Sequence, residues 1–303
     1  MKVIPSGSLR LDIALGIGGV PCGAFTEISG GDSSGKTTLS LNIISQAQKM
    51  GGVCALIDND HSLDAGFVSR CGVQVNQLLV AQPQSTEQAL EITETLVQSR
   101  ALTVIVLDSV DNLVSVSELN KPLGEATLSA SDTLLSQSLH RLATMVQRAN
   151  IAFILTHRTR KQLSSVYHKL VENPARLAVK LLASIRIELN PMKKIIYNEV
   201  TIGEHIQARI LKNKYMSCPP AVEFDIIYNT GIFKVGEILD LGIENQLINK
   251  FGKRYLFGNL EIGEHREEMI DFLLENSHVT DELEQVIRQR LLLPVPNYLP
   301  NKG

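Results

Sequence analysis

The run Gly30-Gly31-Asp32-Ser33-Ser34-Gly35-Lys36-Thr37 constrains this chain more than any other feature. It satisfies G-x-x-x-x-G-K-[ST] and lies between a short apolar strand pattern, Ala24 to Ser29, and a helical one. Glycines let successive backbone N–H groups turn toward phosphate oxygens, and the helix that follows adds its positive end. In such a loop the lysine, here Lys36, reaches the β- and γ-phosphates, and the hydroxyl of the next residue, here Thr37, ligates Mg²⁺. The pattern therefore implies a site for a nucleotide with Mg²⁺. The same loop requires a strand-turn-helix unit, which excludes an all-β or all-α fold.

The rest of the chain repeats that unit. Val53 to Ile57, Val104 to Leu107 and Ile151 to Leu155 read as buried parallel strands. Helical patterns fall between them, one from Thr86 to Arg100 with a Ser85/Gln88 capping box, another through Leu134, Leu135, Leu139, Leu142 and Val146. After Leu182 the strands come close together, at Ser184 to Leu189, Glu199 to Gly203, Gln207 to Leu211 and Glu223 to Tyr228, and extend the sheet in antiparallel fashion. The expected fold class is α/β, a mostly parallel sheet flanked by helices, with a small C-terminal α/β domain. The expected division is a core over 1–235, the small domain over 236–293 with turns at Gly252 and Gly258, and a frayed Pro-rich tail over 294–303.

Composition narrows the class further. With 44% hydrophobic and 20% charged residues, the chain of 303 residues has the makings of a large core and is neither disordered nor a coiled coil. No apolar run is long enough to cross a bilayer and no signal-peptide pattern opens the chain, so a cytoplasmic protein without membrane partners is expected. Four cysteines, Cys22, Cys54, Cys71 and Cys218, lack metal-site or disulfide spacing and read as reduced thiols. A net charge of −3 gives no global pull toward nucleic acid, so any DNA contact needs a local patch.

Two acidic positions complete a nucleotide site. Asp108 ends the strand Val104 to Leu107, where a carboxylate can hold the Mg²⁺ shell, because such sheets deliver the carboxyl ends of their strands to the ligand crevice. Asp58-Asn59-Asp60-His61 follows the strand Val53 to Ile57 and can supply a carboxylate that orients the attacking water; a solvated acidic turn is the alternative.

From Ile4 to about Leu293 these motifs resemble the bacterial RecA recombinase family. The segment Ile4-Pro5-Ser6-Gly7-Ser8-Leu9-Arg10-Leu11-Asp12-Ile13-Ala14-Leu15-Gly16, the loop Asp32 to Thr38 and Lys212-Asn213-Lys214 carry the likeness. The resemblance implies a RecA-like P-loop NTPase core and an ATP-dependent protein that polymerises on single-stranded DNA and pairs it with a duplex. It implies that Gly30 to Thr38 cradle ATP, that Asp60 stands where the family has its water-activating Glu, and that Asp108 associates with Mg²⁺. Asp64, Phe67 and Tyr228 match positions around the adenine. Lys212 and Lys214 match a pair that reaches the γ-phosphate of a neighbouring protomer, so ATP would lie at the subunit interface. His157 stands in the place of a γ-phosphate-sensing Gln.

Departures from the family pattern carry their own expectations. Asp in place of Glu at position 60 withdraws the carboxylate by about 1 Å, enough to cost about 10²-fold, so slow hydrolysis is expected. The second DNA loop has no glycine between Arg158 and Lys180, which implies a stiffer or partly helical segment. Arg158, Arg160, Lys161, Lys169, Arg176 and Lys180 there face one acidic residue, Glu172, and form the expected phosphate-backbone footprint. The first loop, around Asn120 to Ser131, has Leu128-Ser129-Ala130-Ser131 in place of a Met-Gly pair. The chain opens almost at the ATPase core, without the family's N-terminal docking helix and strand, which leaves filament formation open. Lys250, Lys253 and Arg254 of the small domain are offset by Glu261, Glu264, Glu267 and Glu268, and the family's acidic tail is not seen. Two functions remain: a recombinase with DNA-stimulated ATP hydrolysis, or an ATP-binding switch that does not exchange strands. A kinase lacks a second Arg cluster for a phosphoryl acceptor.

Overall fold

The structure is a computed structural model that describes residues 1–119, 130–159, 174–217, 219 and 221–298. Strands β1 (Val3–Ile4) and β2 (Val20–Pro21) pair antiparallel around helix α1 (Leu9–Leu15), whose short span is set by Ser8, accepting from Leu11 N, and by left-handed Gly16 at its end. The main sheet holds β3 (Ala24–Gly30), β4 (Cys54–Asp58), β5 (Leu78–Ala81), β6 (Val104–Asp108), β7 (Ala152–Arg158), β8 (Ile185–Tyr197), β9 (Val200–Asn213), β10 (Ala221–Ile227) and β11 (Gly231–Ile232). Its order is β11-β10-β9-β8-β3-β7-β6-β4-β5, parallel from β8 to β5 and antiparallel from β8 to β11.

Alternation along each strand sorts side chains into two cores. Ile28, Leu56, Val106 and Ile154 face α2 (Lys36–Lys49), while Phe25, Ile57, Leu107 and Phe153 face α4 (Thr86–Ser99), α6 (Ala130–Ala149) and α7 (Pro174–Leu182). Two shorter helices, α3 (Ala65–Arg70) and α5 (Val116–Leu119), lie in the connections. Ser85 accepts from Gln88 N as the sequence predicts, but the Gln88 side chain returns to Gln84 N, one residue before the expected partner. Proline at the first position of α7 suits an N–H that has no helical partner, and the helix covers the end of the segment expected to stiffen.

Several elements differ from expectation, among them β8, which continues to Tyr197 beyond the expected end at Leu189. The two strands predicted over Glu199 to Leu211 are a single strand, β9, because the polar Glu204 and His205 that look like a turn pair directly with Ile226 and Asp225 of β10. Its tight turn lies earlier, at Asn198 and Glu199, both with positive φ. Edge strand β5 and helix α3 were not predicted. Within the tail expected to fray, Tyr298 is half-buried and its hydroxyl donates to Gln46 Oε1 at 2.8 Å. Residues 299–303 are outside the described residues.

Helix α8 (Lys234–Glu244) begins two residues before the expected boundary and leads into a three-stranded antiparallel sheet, β12 (Ile248–Phe251), β13 (Arg254–Phe257) and β14 (Leu260–Gly263), followed by α9 (Arg266–Glu275) and α10 (Ser277–Arg290). Ile238, Ile248, Ile262, Met269, Leu283 and Ile287 form its core, and Leu9 of α1 is buried among them. The fully buried Arg288 fastens this unit to α1: its Nη2 is 2.6 Å from Asp12 Oδ2 and its Nε 2.9 Å from Glu284 Oε1, which holds Arg288 above the ordinary guanidinium range despite its burial. Lys234 closes the group, 2.6 Å from Glu284 Oε2.

Candidate nucleotide site

The cradle forms where β3 ends and α2 begins. Gly30 is required by its surroundings, since a Cβ there would lie 2.3 Å from Ser34 Oγ and 2.7 Å from Leu189 O. Gly35 combines φ +90° with a contact of 2.5 Å to Ile226 Cδ1 that any side chain would make. Gly31 borders open space. Gly35 caps α2 without a side-chain hydrogen bond, so the helix presents free N–H groups and its positive end to the loop. Ser34 Oγ is buried there with no partner among the described residues, the kind of orphan a phosphate oxygen satisfies.

Lys36 lies along this loop and donates to Gly30 O at 3.2 Å and Gly31 O at 2.6 Å. Burial lowers its pKa, Asp108 and Asp32 oppose that fall, and the Arg158 guanidinium adds to it. Thr37 Oγ1 donates to Asp108 Oδ2 at 2.6 Å, and Thr156 Oγ1 donates to Asp108 Oδ1. Burial pushes the Asp108 carboxyl up; those two hydroxyls pull it back and the carboxylates of Asp60 and Asp58 add to the rise. A hydroxyl and a carboxylate are hard oxygen donors, so Thr37 and Asp108 suit Mg²⁺. Thr38 is buried one residue further into the helix.

Asp60 is placed by the ends of β4 and β6. Asn59 N donates to Asp108 O at 2.7 Å and Asn59 Nδ2 to Ser109 O at 3.0 Å, which ties the two strand ends together. Asp58 holds the turn by accepting from Asp60 N and Leu63 N. Asp60 Oδ1 then receives Ser109 Oγ at 3.1 Å and Asn112 Nδ2 at 2.6 Å, while Oδ2 receives Arg158 Nη2 at 2.8 Å.

Phe67 and Tyr228 line one cavity of about 320 Å³ with Ser33 to Thr38, Glu204 and Asn229. A cavity flanked by two aromatic rings beside a phosphate cradle has the shape for a base. Asp64 caps α3, accepting from Gly66 N and Phe67 N, and borders an adjoining cavity with Thr37, Asp58 and Asp108.

Other expected residues lie elsewhere. His157 alternates away from the cradle: its Nδ1 is 3.0 Å from Oε1 of the buried Glu27, which Arg186 also holds. Burial raises the Glu27 pKa, yet the hydrogen bonds from His157 and Arg186 more than offset it and hold the carboxyl below its usual range. Arg158, expected on DNA, instead lies in the nucleotide site on Asp60, with Nε 3.5 Å from Asp32 Oδ1. Arg176 meets Asp111 at 2.9 Å, and Lys180 is exposed on α7. Arg160, Lys161 and Lys169 lie outside the described residues. Lys212 donates to the last carbonyls of α7, Lys180 O and Leu181 O, and Lys214 borders a cavity with Ala24, Phe25 and Tyr215. Register places Lys212 opposite Arg186, itself opposite Glu27 of β3, so both lysines lie toward the start of β3 and away from the cradle at its end. Sequence reasoning missed Thr156, Asn112 and Arg158 as site residues; strand alternation through β7 was the available signal for Thr156.

The family model for the RecA N-terminal domain matches residues 1–233, and that for the RecA C-terminal domain matches residues 236–292. The chain belongs to the RecA family. It is 38% identical over 290 residues to "Protein RecA" of Rickettsia canadensis (strain McKiel), covering 96% of this chain and 84% of that one. It is 41% identical over 288 residues to "Protein RecA" of Roseiflexus castenholzii (strain DSM 13941 / HLO8), covering 95% and 82%. No helix among the described residues is long and apolar enough to cross a membrane.

Proposed function

We propose that this RecA-family chain is an ATP-dependent recombinase of DNA repair that binds single-stranded DNA, pairs it with homologous duplex and hydrolyses ATP slowly in response to DNA. The observation that carries the ATPase part is the meeting of Lys36, Thr37, Asp108 and Asp60 at the carboxyl ends of adjacent strands, beside a cradle that admits no Cβ at Gly30 or Gly35. Lys36 and the free N–H groups of α2 bind the phosphates of ATP, the substrate. Thr37 and Asp108 would hold Mg²⁺, which when bound neutralises charge on the phosphate oxygens.

Asp60 orients the water. Ser109 and Asn112 fix one carboxylate oxygen; the other, which Arg158 Nη2 meets at 2.8 Å, is the one that would accept a hydrogen bond from the nucleophile. Phe67 and Tyr228 take the base between them. Lys212 near the end of β9 and Lys214 just past it lie away from their own cradle, which supports their service to a neighbour's γ-phosphate and self-association through ATP. Arg176 and Lys180 on α7, with the basic segment before them, supply DNA phosphate contacts.

ATP hydrolysis measured with and without single-stranded DNA, alongside electron microscopy of the same mixtures, tests the proposal. DNA-stimulated turnover with filaments, both lost in Lys36→Ala, is the expected result. ATP binding with neither stimulation nor filaments overturns it in favour of a nucleotide switch.

A further inference from the structure

Arg158 occupies the place where cradle and water-orienting carboxylate meet. Its Nη2 is 2.8 Å from Asp60 Oδ2 and its Nε 3.5 Å from Asp32 Oδ1, so one guanidinium spans from the phosphate-gripping loop to Asp60. The backbone beneath it is fixed on both sides: Arg158 N donates to Asp111 Oδ2, and Arg158 O accepts from Arg176 Nη2. Its charge reaches Lys36, whose ammonium it disfavours after the larger effect of burial. Two cations thus converge on the space that the carboxylates of Asp32, Asp60 and Asp108 surround.

That arrangement is sensitive to a further anion. A guanidinium binds a phosphate with its several charged oxygens in the same forked geometry it uses for a carboxylate. Asp60 does not depend on Arg158 for its position, because Ser109 and Asn112 hold Oδ1. His157, next in the chain, is turned to Glu27 and leaves the task open.

Resting on the ATPase reading above, we infer that Arg158 distinguishes ATP from ADP and gates Asp60. With ATP in the cradle, the guanidinium passes from Asp60 Oδ2 to the terminal phosphate and leaves that oxygen to hold water. With ADP it stays on Asp60. Arg158 acts on hydrolysis by covering or freeing Asp60 Oδ2, without setting where that carboxylate stands, and is a specificity residue toward the nucleotide.

Equilibrium binding of ADP and of the slowly hydrolysed analogue ATPγS, both with Mg²⁺, tests this on the full chain and on Arg158→Gln, Asp60→Asn, their double variant and Lys36→Ala. Arg158→Gln is expected to weaken ATPγS about tenfold or more, the size of one charge-assisted hydrogen bond, with ADP changed by less than about twofold. Asp60→Asn frees the guanidinium and is expected to tighten ATPγS relative to ADP, with a smaller gain in the double variant. Equal losses for both nucleotides, no loss for either, or the same gain in both backgrounds overturns the inference. Should Arg158→Gln fail to fold, Asp60→Asn alone decides, and an unchanged ATPγS-to-ADP ratio sinks the idea. Wild-type binding by Lys36→Ala would instead remove the nucleotide site itself, a separate failure.

Discussion

Asp60, proposed to orient the attacking water, is the side chain on which the proposed slow rate rests. The carboxylate is fixed by Ser109 and Asn112 but stands one methylene short of the family's Glu. Restoring that length in Asp60→Glu is expected to raise steady-state ATP turnover by up to about 10²-fold; equal rates in the two proteins would end the slow-hydrolysis proposal. Asp60→Asn keeps the shape, loses the base, and is expected to cost about 10²-fold or more in turnover. The cradle was legible because the spacing of Gly30, Gly35, Lys36 and Thr37 is tied to a strand end and a helix start, where the structure places them. His157 and Arg158 were not, because adjacent residues on a strand point to opposite faces and a match by position does not say which face meets the cleft. The structure turns His157 to Glu27 and Arg158 to Asp60.

Elements were legible in proportion to their burial. Strand β4, strand β6 and the first half of β7 are apolar on both faces up to their last residues, so their pattern survives without context. Edge strand β5 has Leu79 and Val80 half exposed and only four residues, too few for any period to declare itself. At this scale α7 is the DNA element to test: Arg176→Gln with Lys180→Gln is expected to reduce the slope of log affinity for single-stranded DNA against log salt by about 1.4, roughly 0.7 per phosphate contact. An unchanged slope would place DNA elsewhere.

Helix α8 carries a pH signature. Glu237 is buried, with Oε2 accepting from Ser8 Oγ and Arg10 N and Oε1 without a partner among the described residues. Burial pushes its carboxyl up to about 8. The folded chain therefore holds a proton that the unfolded chain releases near pH 4.5, and the stability this group contributes is present at acid pH and lost as pH rises toward 8. Urea midpoints of wild type are expected to fall between pH 6 and 8.5 by more than those of Glu237→Gln, a difference on the order of a few kcal/mol. Parallel curves would refute the assignment.

For the whole molecule, the separation of Lys212 from its own cradle makes assembly testable in a mixture. Lys36→Ala lacks the grip on phosphate and Lys212→Ala lacks the proposed reach to a neighbour, so each alone is expected to be inactive. Mixed in equal amounts and joined head to tail at random, about a quarter of their interfaces combine an intact Lys36 with an intact Lys212, and activity returns to that extent. No recovery would leave Lys212 as a cap on α7 alone. The two domains are a second whole-molecule property: Arg288→Ala strips Asp12 of its buried counter-charge and is expected to cost about 3–5 kcal/mol, read as a lower urea midpoint.

That same pairing orders events during synthesis. Asp12 and Arg288 are 276 residues apart, and at the pace of a ribosome the acid emerges on the order of tens of seconds before its base. Until then the Asp12 carboxylate has the Ser6 N–H on Oδ1 but no counter-charge on Oδ2. A nascent chain halted short of residue 288 should leave α1 more open to proteases, and extending it past that residue should close α1.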